Sequence, residues 1–345
     1  MKKYRVGILG ATGTVGQRFC QLLEDHPQFE ISALAASERS VGKAYKEACA
    51  WKLSTPMPEN VRKIEVQPIS PPLDCDIVFS SLPGSVAREA EEVFARAGFP
   101  VISNSSCYRM EEDVPLIIPE VNHDHLGLIE TQQAKRGFDE GFIVTNPNCA
   151  VVSFAPPLAA LDRRFGVESA AITTLQAVSG AGYPGVASLD IADNVMPYIA
   201  GEEPKAETEA QKILGKLEGE AIEKADFAVS AQCFRVNVID GHTASVRVNL
   251  RETAELEQIN EAISSFPSLD LHSSPKDFMI VSEDPARPQP RLDRENGNGM
   301  SITVGRIFPD NISDYRFVSL SHNTLRGAAG AAVLNAELLI DKKLI

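Results

Sequence analysis

The 345-residue sequence is poor in positive charge and aromatic residues, and it has no long apolar run. Its 33 lysines and arginines are outnumbered by 47 acidic residues, which gives a net charge of −14. That balance argues against nucleic acid as a partner, because phosphate backbones attract basic surfaces. Since no apolar run approaches the roughly 20 residues of a membrane span, we expect no membrane partner. The opening MKKYRVGILG lacks the features of a signal peptide, so we expect a cytoplasmic protein.

The six cysteines are scattered, without a CxxC pair or the spacing of a zinc site. We therefore predict neither a disulfide framework nor a metal site. The usual role of a lone cysteine is a small buried hydrophobic side chain, and we assign it to Cys20, Cys49 and Cys75. The length itself predicts two domains, because one hydrophobic core rarely grows so large.

The first chemical motif follows a short apolar run, RVGIL (5–9), which predicts a buried strand. The turn GATGTVG comes next, with Gly10, Gly13 and Gly16, and leads into a stretch with helical spacing. Strand, glycine turn and helix are typical of a loop that binds the pyrophosphate of a dinucleotide. The spacing is GxxGxxG rather than GxGxxG, so a plain tight turn stays possible.

The second predicted strand (29–37) ends in SERSVGK rather than in the acidic residue that often binds the ribose of NAD. Ser37, Arg39, Ser40 and Lys43 supply hydroxyl groups and positive charge, which suit a 2′-phosphate. The pattern therefore favours NADP over NAD, although Glu38 weighs against it. A solvated loop is the alternative.

Two further strands are predicted at 75–83 and 100–106, with a helical stretch between them, which indicates a parallel sheet. Ser81 lies at the carboxyl end of the first, where ligands gather in open sheets. Asn104 and Arg109 follow the second. Arg109 is a candidate for binding a second anion, and a surface salt bridge is the alternative.

The stretch TNPNCAVVSF (145–154) places a cysteine where a helix is predicted to begin. Pro147 favours extended geometry at the residue before it, and Asn148 is a good helix cap. We therefore expect Cys149 in the first helical turn, where free N–H groups and the helix dipole lower the pKa of a thiol. A reactive nucleophile and a buried structural cysteine both remain open.

His242 follows a turn at Asp240-Gly241 between two predicted strands (234–248), so its side chain is a candidate for a pocket. Arg235 lies on the preceding strand. The alternative is that His242 is only a residue of the turn, without a functional role.

Two more stretches carry polar candidates. TLQAVSGAGYPG (174–185) has Gln176 on an apolar strand and places Ser179 and Gly180 where they could approach a cofactor ring. On a charged helix (202–215), Glu209 and Lys212 stand three residues apart, a spacing that usually indicates a solvated salt bridge.

Taken together, these motifs resemble the aspartate-semialdehyde dehydrogenase family, most closely its archaeal and fungal branch. The similarity covers essentially the whole chain and is carried by GATGTVGQRF, AASERSVGK, SNSSCYRM, NPNCA, QAVSGAGYPG, ETEAQKIL, RVNVIDGHT and SHNTLRGAAGAAVLNAELL. The resemblance implies an α/β fold like that of glyceraldehyde-3-phosphate dehydrogenase, with a Rossmann-type domain and an α+β catalytic domain. Residues 1–148 and 322–345 would form the NADP-binding domain, and 149–321 the catalytic and dimerisation domain of a homodimer or homotetramer.

The resemblance also implies residue roles. Cys149 would be the nucleophile, His242 the general acid/base, and Gln176 would orient the acyl group. Arg235 would bind the substrate α-carboxylate and Glu209 its amino group. Arg109 and Lys212 would hold the phosphate, and Asn104 belongs to the same substrate site. The implied NADP contacts are Gly10, Thr12, Gly13, Thr14, Val15, Ser37, Arg39, Ser40, Ser81, Ser179, Gly180 and Asn323.

The implied reaction is the NADPH-dependent reduction of L-4-aspartyl phosphate to L-aspartate 4-semialdehyde and phosphate, through a cysteine thioester. It serves the biosynthesis of lysine, threonine and methionine. Malonyl-CoA reductase and N-acetyl-glutamyl-phosphate reductase are alternatives with the same fold, and a non-catalytic NADP-binding regulator is a third. The segment 282–306 is predicted to be a long loop before a strand, without an assigned role.

Overall fold

A computed structural model describes residues 3–345, which form two six-stranded sheets and the helices around them. The first sheet is entirely parallel, and its strand order 3-2-1-4-5-6 is that of dinucleotide-binding Rossmann domains. Its strands in spatial order are β3 (Val66–Gln67), β2 (Phe29–Ala35), β1 (Tyr4–Leu9), β4 (Ile77–Ser80), β5 (Pro100–Ser103) and β6 (Phe142–Thr145).

Helices cover both faces of this sheet, because its strands are apolar on both sides. The central strands β1, β4 and β5 bury nearly every side chain. The helices that belong to this half of the chain are α1 (Thr14–Leu22), α2 (Tyr45–Ala48), α3 (Gly84–Arg96), α4 (Pro119–Asn122) and α5 (Leu128–Arg136).

The second sheet is mixed, and one of its faces packs against α6 and α9. Phe154 and Leu158 of α6 share a core with Ile172 and Val246 of the sheet. In spatial order its strands are β10 (Ala228–Arg235), β7 (Val167–Gln176), β11 (His242–Leu250), β14 (Tyr315–Ser321), β13 (Ile302–Pro309) and β12 (Met279–Ser282). The remaining elements are α6 (Val151–Phe165), α7 (Ser188–Ile191), α8 (Glu202–Ile213), the hairpin β8 (Lys216–Glu218) and β9 (Ala221–Glu223), α9 (Leu256–Ser264) and α10 (Pro290–Asp293).

The last helix, α11 (Gly330–Asp341), is apolar on all sides and buried over most of its length. It packs into the core of the first sheet, where Val333 and Leu339 lie in one cluster with Ile8 and Phe79. A π-helical turn, Leu325–Ala329, precedes it. The predicted fold class is therefore confirmed. The predicted domain boundaries stay a prediction, with residues 1–148 plus 322–345 in one domain and 149–321 in the other.

The topology brings polar residues of both sheets to one region. Arg235 and Gln176 end the neighbouring parallel strands β10 and β7 in direct register, and His242 begins the antiparallel strand beside them. The segment 282–306 holds α10 and a short 3-10 turn, Asn296–Gly299, rather than loop alone. Over residues 3–345, no helix has the length and apolar character needed to cross a membrane.

Candidate active site

Cys149 and His242 face each other at the centre of the site. The Sγ atom of Cys149 lies 3.2 Å from Nε2 of His242. The other ring nitrogen, Nδ1, accepts a hydrogen bond of 3.0 Å from the backbone N–H of Ala177. Because an accepting nitrogen carries no proton, the neutral imidazole has its proton on Nε2, which faces the sulfur.

The helix after β6 begins later than the sequence predicts, since α6 starts at Val151 and Cys149 lies before it. Asn148 acts as a local cap all the same, because its Oδ1 accepts the N–H of Ala150 at 2.8 Å. Burial raises the pKa of the Cys149 thiol to about 11, and the charge of Glu202 adds to the rise against the opposing effect of Arg109 and Arg235. The predicted lowering of this pKa by the helix is therefore wrong, because the loss of hydration outweighs it.

His242 is fully buried, and this sets its charge. Burial lowers the pKa of its imidazole to about 3, and the nearby Arg235 lowers it further. The imidazole is therefore neutral near pH 7. A resting ion pair between thiolate and imidazolium is disfavoured for the same reason.

Two glycines pack closely against this pair. A Cβ on Gly327, in the π-helical turn, would lie 2.8 Å from Cβ of Cys149. A Cβ on Gly180 would lie 2.9 Å from Nη1 of Arg235 and 3.1 Å from Nε2 of His242. Gly180, predicted as a cofactor contact, thus lies directly beside His242 and Arg235. The sequence analysis missed Gly327, although glycine inside a helical pattern often marks a close approach.

Arg235 and Arg109 are the two buried arginines of the site. Arg235 donates from Nη1 to the carbonyl of Ala177 at 2.8 Å, the same residue whose N–H holds His242. Arg109 donates from Nη2 to the carbonyl of Asn104 at 2.9 Å, and its Nη1 pairs with Glu209 at 3.1 Å. Both guanidinium charges act on Cys149, because each favours ionisation of its thiol.

Glu209 and Lys212 are buried, so the predicted solvated salt bridge between them is wrong. Glu209 binds Arg109, and its second oxygen accepts the backbone N–H of Asn148 at 2.6 Å. Lys212 donates to the carbonyls of Arg109, Glu111 and Val114 at 2.7, 2.7 and 2.8 Å. All three of its N–H bonds are therefore engaged by the segment that carries Arg109, and burial lowers the pKa of its ammonium to about 8.

A second residue that the sequence analysis missed is Glu202, the first residue of α8. Gln176 donates to its carboxylate at 3.2 Å, and Asn148 donates to both of its oxygens at 3.1 and 2.9 Å. Glu202 lies within a run of charged residues that is typical of an exposed helix face. Only the three-dimensional structure distinguishes it from its exposed neighbours.

The glycine turn after β1 lies at the carboxyl end of the parallel sheet. Gly10 has φ +79°, and a Cβ there would lie 2.9 Å from the carbonyl oxygen of Ser81. The hydroxyl of Ser81 donates to the carbonyl of Leu9 at 3.0 Å, which ties β4 to this turn. Thr14 and Val15 begin α1, and Thr12 and Gly13 form the turn before it. The carboxyl end of β2 brings the segment of Ser37, Arg39 and Ser40 to the same edge of the sheet, with the first two exposed.

A cavity of about 540 Å³ extends from this turn toward the second sheet. Thr14 lines one side, and Ser179 and Tyr183 line the other. Asn323 lies nearby, donating to the hydroxyl of Ser179 at 2.8 Å and accepting the N–H of Gly241 at 2.8 Å. The cavity is therefore lined by predicted cofactor contacts from both halves of the chain.

Asn104 belongs to a chain of amides that reaches the last helix. Its Oδ1 accepts from Asn146 at 2.8 Å, and Oδ1 of Asn146 accepts from Asn335 of α11 at 2.6 Å. The segment 282–306 supports the other side of the site, because Arg294 donates to the carbonyl of Asp240 at 3.2 Å, in the turn before His242.

Comparisons with known proteins agree with this arrangement. The semialdehyde dehydrogenase NAD-binding domain model matches residues 5–129, and the semialdehyde dehydrogenase dimerisation domain model matches residues 158–326. The chain is 55% identical to the aspartate-semialdehyde dehydrogenase of Archaeoglobus fulgidus, covering 99% of this chain and 100% of the relative. It is 48% identical to that of Schizosaccharomyces pombe, with 99% of both covered. A crystal structure of the Candida albicans aspartate-semialdehyde dehydrogenase with NADP superposes with a TM-score of 0.92 at 42% identity, over 100% of both chains. The predicted resemblance is confirmed, and the chain belongs to the aspartate-semialdehyde dehydrogenase family.

Proposed function

We propose that this chain reduces L-4-aspartyl phosphate to L-aspartate 4-semialdehyde and phosphate, with NADPH as reductant. The observation that carries the proposal is the 3.2 Å contact between Cys149 Sγ and His242 Nε2, flanked by two buried arginines. A thiol suits this reaction because it is a strong nucleophile and also a good leaving group. Related enzymes of archaea and fungi carry the corresponding name.

The two arginines account for the two anionic ends of the substrate. Arg235 is the candidate for the α-carboxylate, because it lies beside His242 across Gly180. Arg109 is the candidate for the phosphate, and Asn104 belongs beside it through the bond that Arg109 makes to its carbonyl. Glu209 stays the candidate for the amino group.

For Lys212 we propose a different role from the phosphate contact that the resemblance implies. Its three hydrogen bonds to carbonyls hold the segment of Arg109 in place, and they leave no N–H for a phosphate in this arrangement. Lys212 would thus support phosphate binding through Arg109.

In the first step Cys149 loses its proton to solvent, and the thiolate attacks the acyl carbon. A thioester forms, and phosphate leaves with the electrons of the broken C–O bond. When bound, NADPH supplies the hydride that reduces the thioester carbon. The C–S bond then breaks, which releases the aldehyde and regenerates the thiolate. His242, with its proton on Nε2, stabilises the thiolate and the oxyanion by donating a hydrogen bond, and Gln176 borders the same space.

The residues present suit a dinucleotide. The backbone of Gly10 lies so close to Ser81 that no side chain fits between them, as expected where a turn must approach a pyrophosphate. Thr12, Gly13, Thr14 and Val15 supply the N-terminus of α1, which favours phosphate. Ser37, Arg39 and Ser40 are the candidates for the 2′-phosphate of NADP. Ser179, Gly180 and Asn323 are the candidates for the nicotinamide end.

The decisive experiment compares two reactions of the purified protein. We expect phosphate-dependent oxidation of aspartate semialdehyde with NADP, followed by the absorbance of the NADPH formed, and no CoA-dependent reduction of malonyl-CoA. Cys149→Ala should abolish turnover while NADP binding, measured by fluorescence, is retained. Activity with malonyl-CoA alone, or full activity of the alanine variant, would contradict the proposal.

We further propose that the protein is a homodimer in the cytoplasm, with an apolar surface on the second sheet and its neighbouring loops as the contact. Large apolar side chains that do not line the cavity are exposed there: Leu175, Leu189 and Tyr198. Patches of this kind mark protein interfaces. Light scattering should give the mass of a dimer, and Leu189→Asp should reduce it to that of a monomer. A tetramer for the unmodified protein would instead support the larger assembly.

A further inference from the structure

Glu202 is a buried carboxylate that joins three parts of the active site. Its Oε2 accepts from Gln176 at the end of β7 at 3.2 Å and from Asn148 beside the nucleophile at 2.9 Å. Its Oε1 accepts from Asn148 at 3.1 Å and from Lys205 of its own helix at 2.9 Å. Gln176 is the last residue of β7 in the second sheet, whereas Asn148 lies in the loop after β6 of the first sheet, so Glu202 links the loop of Cys149 to the strand of Gln176.

An ionised carboxylate can only accept hydrogen bonds, so any amide that faces it must turn its nitrogen toward it. The nitrogen of Gln176 also donates to the hydroxyl of Thr174 at 3.3 Å, so both of its N–H bonds are used within the protein. The side-chain oxygen of Gln176 is therefore the polar atom that remains available to a substrate. The oxygen of Asn148 is likewise turned away from Glu202 and accepts the N–H of Ala150.

We propose that Glu202 is a positioning residue, which fixes the amide orientation of Gln176 and the loop conformation at Asn148, and thereby aligns the substrate with Cys149. This inference rests on the proposed function, because Gln176 matters only if an acyl substrate binds there. Glu202 does not itself carry out a chemical step. It decides which polar end of Gln176 meets the substrate.

The charge of Glu202 has a second consequence, at Cys149. Burial alone would raise the pKa of Glu202, but Lys205 and the amides of Asn148 and Gln176 lower it below its usual value, so the carboxylate is ionised near pH 7. Its charge opposes ionisation of the sulfur, while Arg109 and Arg235 favour it. Other titratable groups around this pair are Glu209, which binds Arg109, the neutral His242, and Cys233, whose pKa the charge of Glu202 also raises. Removal of the Glu202 charge should therefore make the thiol more acidic.

The charge of Glu202 and its positioning role predict opposite changes in two rates of the same variant. Glu202→Gln removes the charge, so alkylation of Cys149 by iodoacetamide at pH 7 should become faster. A lower pKa raises the thiolate fraction more than it weakens the thiolate as a nucleophile, so the alkylation rate should rise about threefold for each unit by which the pKa falls. Turnover should instead fall by about tenfold or more, because the amide of Gln176 is no longer held in one orientation. A general loss of structure would also expose the buried thiol and speed its alkylation. The comparison therefore counts only for a variant whose melting temperature and NADP binding match those of the unmodified protein.

Glu203→Gln is the matched control. Glu203 lies next to Glu202 on α8, but its carboxylate accepts the backbone N–H of Cys233 at 3.1 Å and has no contact with Gln176 or Asn148. Both rates should stay within about twofold of the unmodified protein, the ordinary scatter of surface substitutions. NADP binding and the melting temperature would show that each variant is folded.

Faster alkylation with slower turnover in Glu202→Gln, and neither in Glu203→Gln, would support the proposal. Changes of both rates in the same direction, or no change in turnover, would overturn it. If the glutamine variant does not fold, Glu202→Asp decides, because it keeps the charge but shortens the reach. It should lower turnover without faster alkylation, and unchanged turnover would refute the positioning role. If the proposed function itself is wrong, the unmodified protein will not oxidise aspartate semialdehyde. The alkylation rates of the variants would still measure the effect of the Glu202 charge on Cys149.

Discussion

The proton on Nε2 of His242 points at the sulfur of Cys149 because the N–H of Ala177 occupies the opposite ring nitrogen. The backbone thus selects the tautomer of the neutral ring. In this form the imidazole donates a hydrogen bond to the sulfur and has no free lone pair for the thiol proton. The arrangement therefore favours stabilisation of negative charge over proton abstraction.

This relationship predicts different effects for two substitutions of His242. His242→Ala should lower kcat by about 10²–10³-fold, the usual loss when one preorganised hydrogen-bond donor is removed from an oxyanion site. His242→Gln can place an amide N–H near the position of Nε2, and it should retain at least about tenfold more activity than the alanine variant, since a hydrogen bond to a charged group is worth about 1.5–3 kcal/mol. Steady-state kinetics of the two variants under saturating substrate measure the difference. Equal losses would show that proton transfer, rather than hydrogen bonding, is the main contribution.

The raised pKa of the Cys149 thiol, about 11, predicts the pH dependence of its alkylation. The thiolate is the reactive form, and a raised pKa makes it scarce at neutral pH. Between pH 6 and pH 9 the rate of iodoacetamide labelling should therefore rise by about tenfold per unit, without a plateau. Mass spectrometry should locate the label at position 149, and Cys149→Ser should remove it. A plateau below about pH 8 would mean that the thiol is ionised near neutrality after all.

Gly327 provides a test of how closely the nucleophile is held. A Cβ at this position would lie 2.8 Å from Cβ of Cys149 and 3.1 Å from its Cα, so Gly327→Ala must displace the loop of the nucleophile. We expect kcat to fall by at least about tenfold, because small misplacements of reacting groups are costly. NADP binding should change little.

The control for this variant is Gly84→Ala at the start of α3. A Cβ there would meet nothing closer than 3.8 Å, so the same chemical change should leave turnover within about twofold. If Gly327→Ala were as active as this control, the close approach to Cys149 would have no role in catalysis.

The sequence could predict the parts of this protein that follow local rules. The turn at Gly10 lies between a strand and a helix as predicted, because glycine spacing and apolar periodicity are local signals. Arg235 and His242 lie at the same end of the second sheet, but their strands do not pair with each other. β7 lies between β10 and β11, and the turn in the sequence does not reveal this.

The parts that could not be predicted depend on burial. Glu202, Glu209 and Lys212 lie in a run of alternating charges that is typical of a solvated helix, yet all three are buried against other elements. The pKa of Cys149 was predicted with the wrong sign for the same reason. The sequence shows that Cys149 lies near the start of a helix. The extent to which its thiol is removed from water depends on residues that are distant in the sequence.

The fully buried pair of Arg326 and Glu120 gives a prediction about stability rather than catalysis. Arg326 bonds Glu120 through Nη2 and stacks 4.5 Å over the ring of Phe278, but its Nε and Nη1 have no hydrogen-bond partner among residues 3–345. Glu120→Gln leaves a buried positive charge without its counterion, so the free energy of unfolding should fall by about 3–5 kcal/mol. Arg326→Met should cost a similar amount, because it leaves the carboxylate unpaired.

The double variant Arg326→Met with Glu120→Leu should recover most of that loss. Replacing both partners of a buried ion pair by apolar residues removes the desolvation cost together with the attraction, so the result is often close to neutral. Urea unfolding of the two single variants and the double variant, followed by circular dichroism, gives the coupling free energy directly. Additive losses in the double variant would mean that the two side chains stabilise the protein by separate packing contacts. Recovery would instead show that the pair is retained for a reason other than stability, since an apolar pair would serve equally well beneath the π-helical turn that carries Gly327.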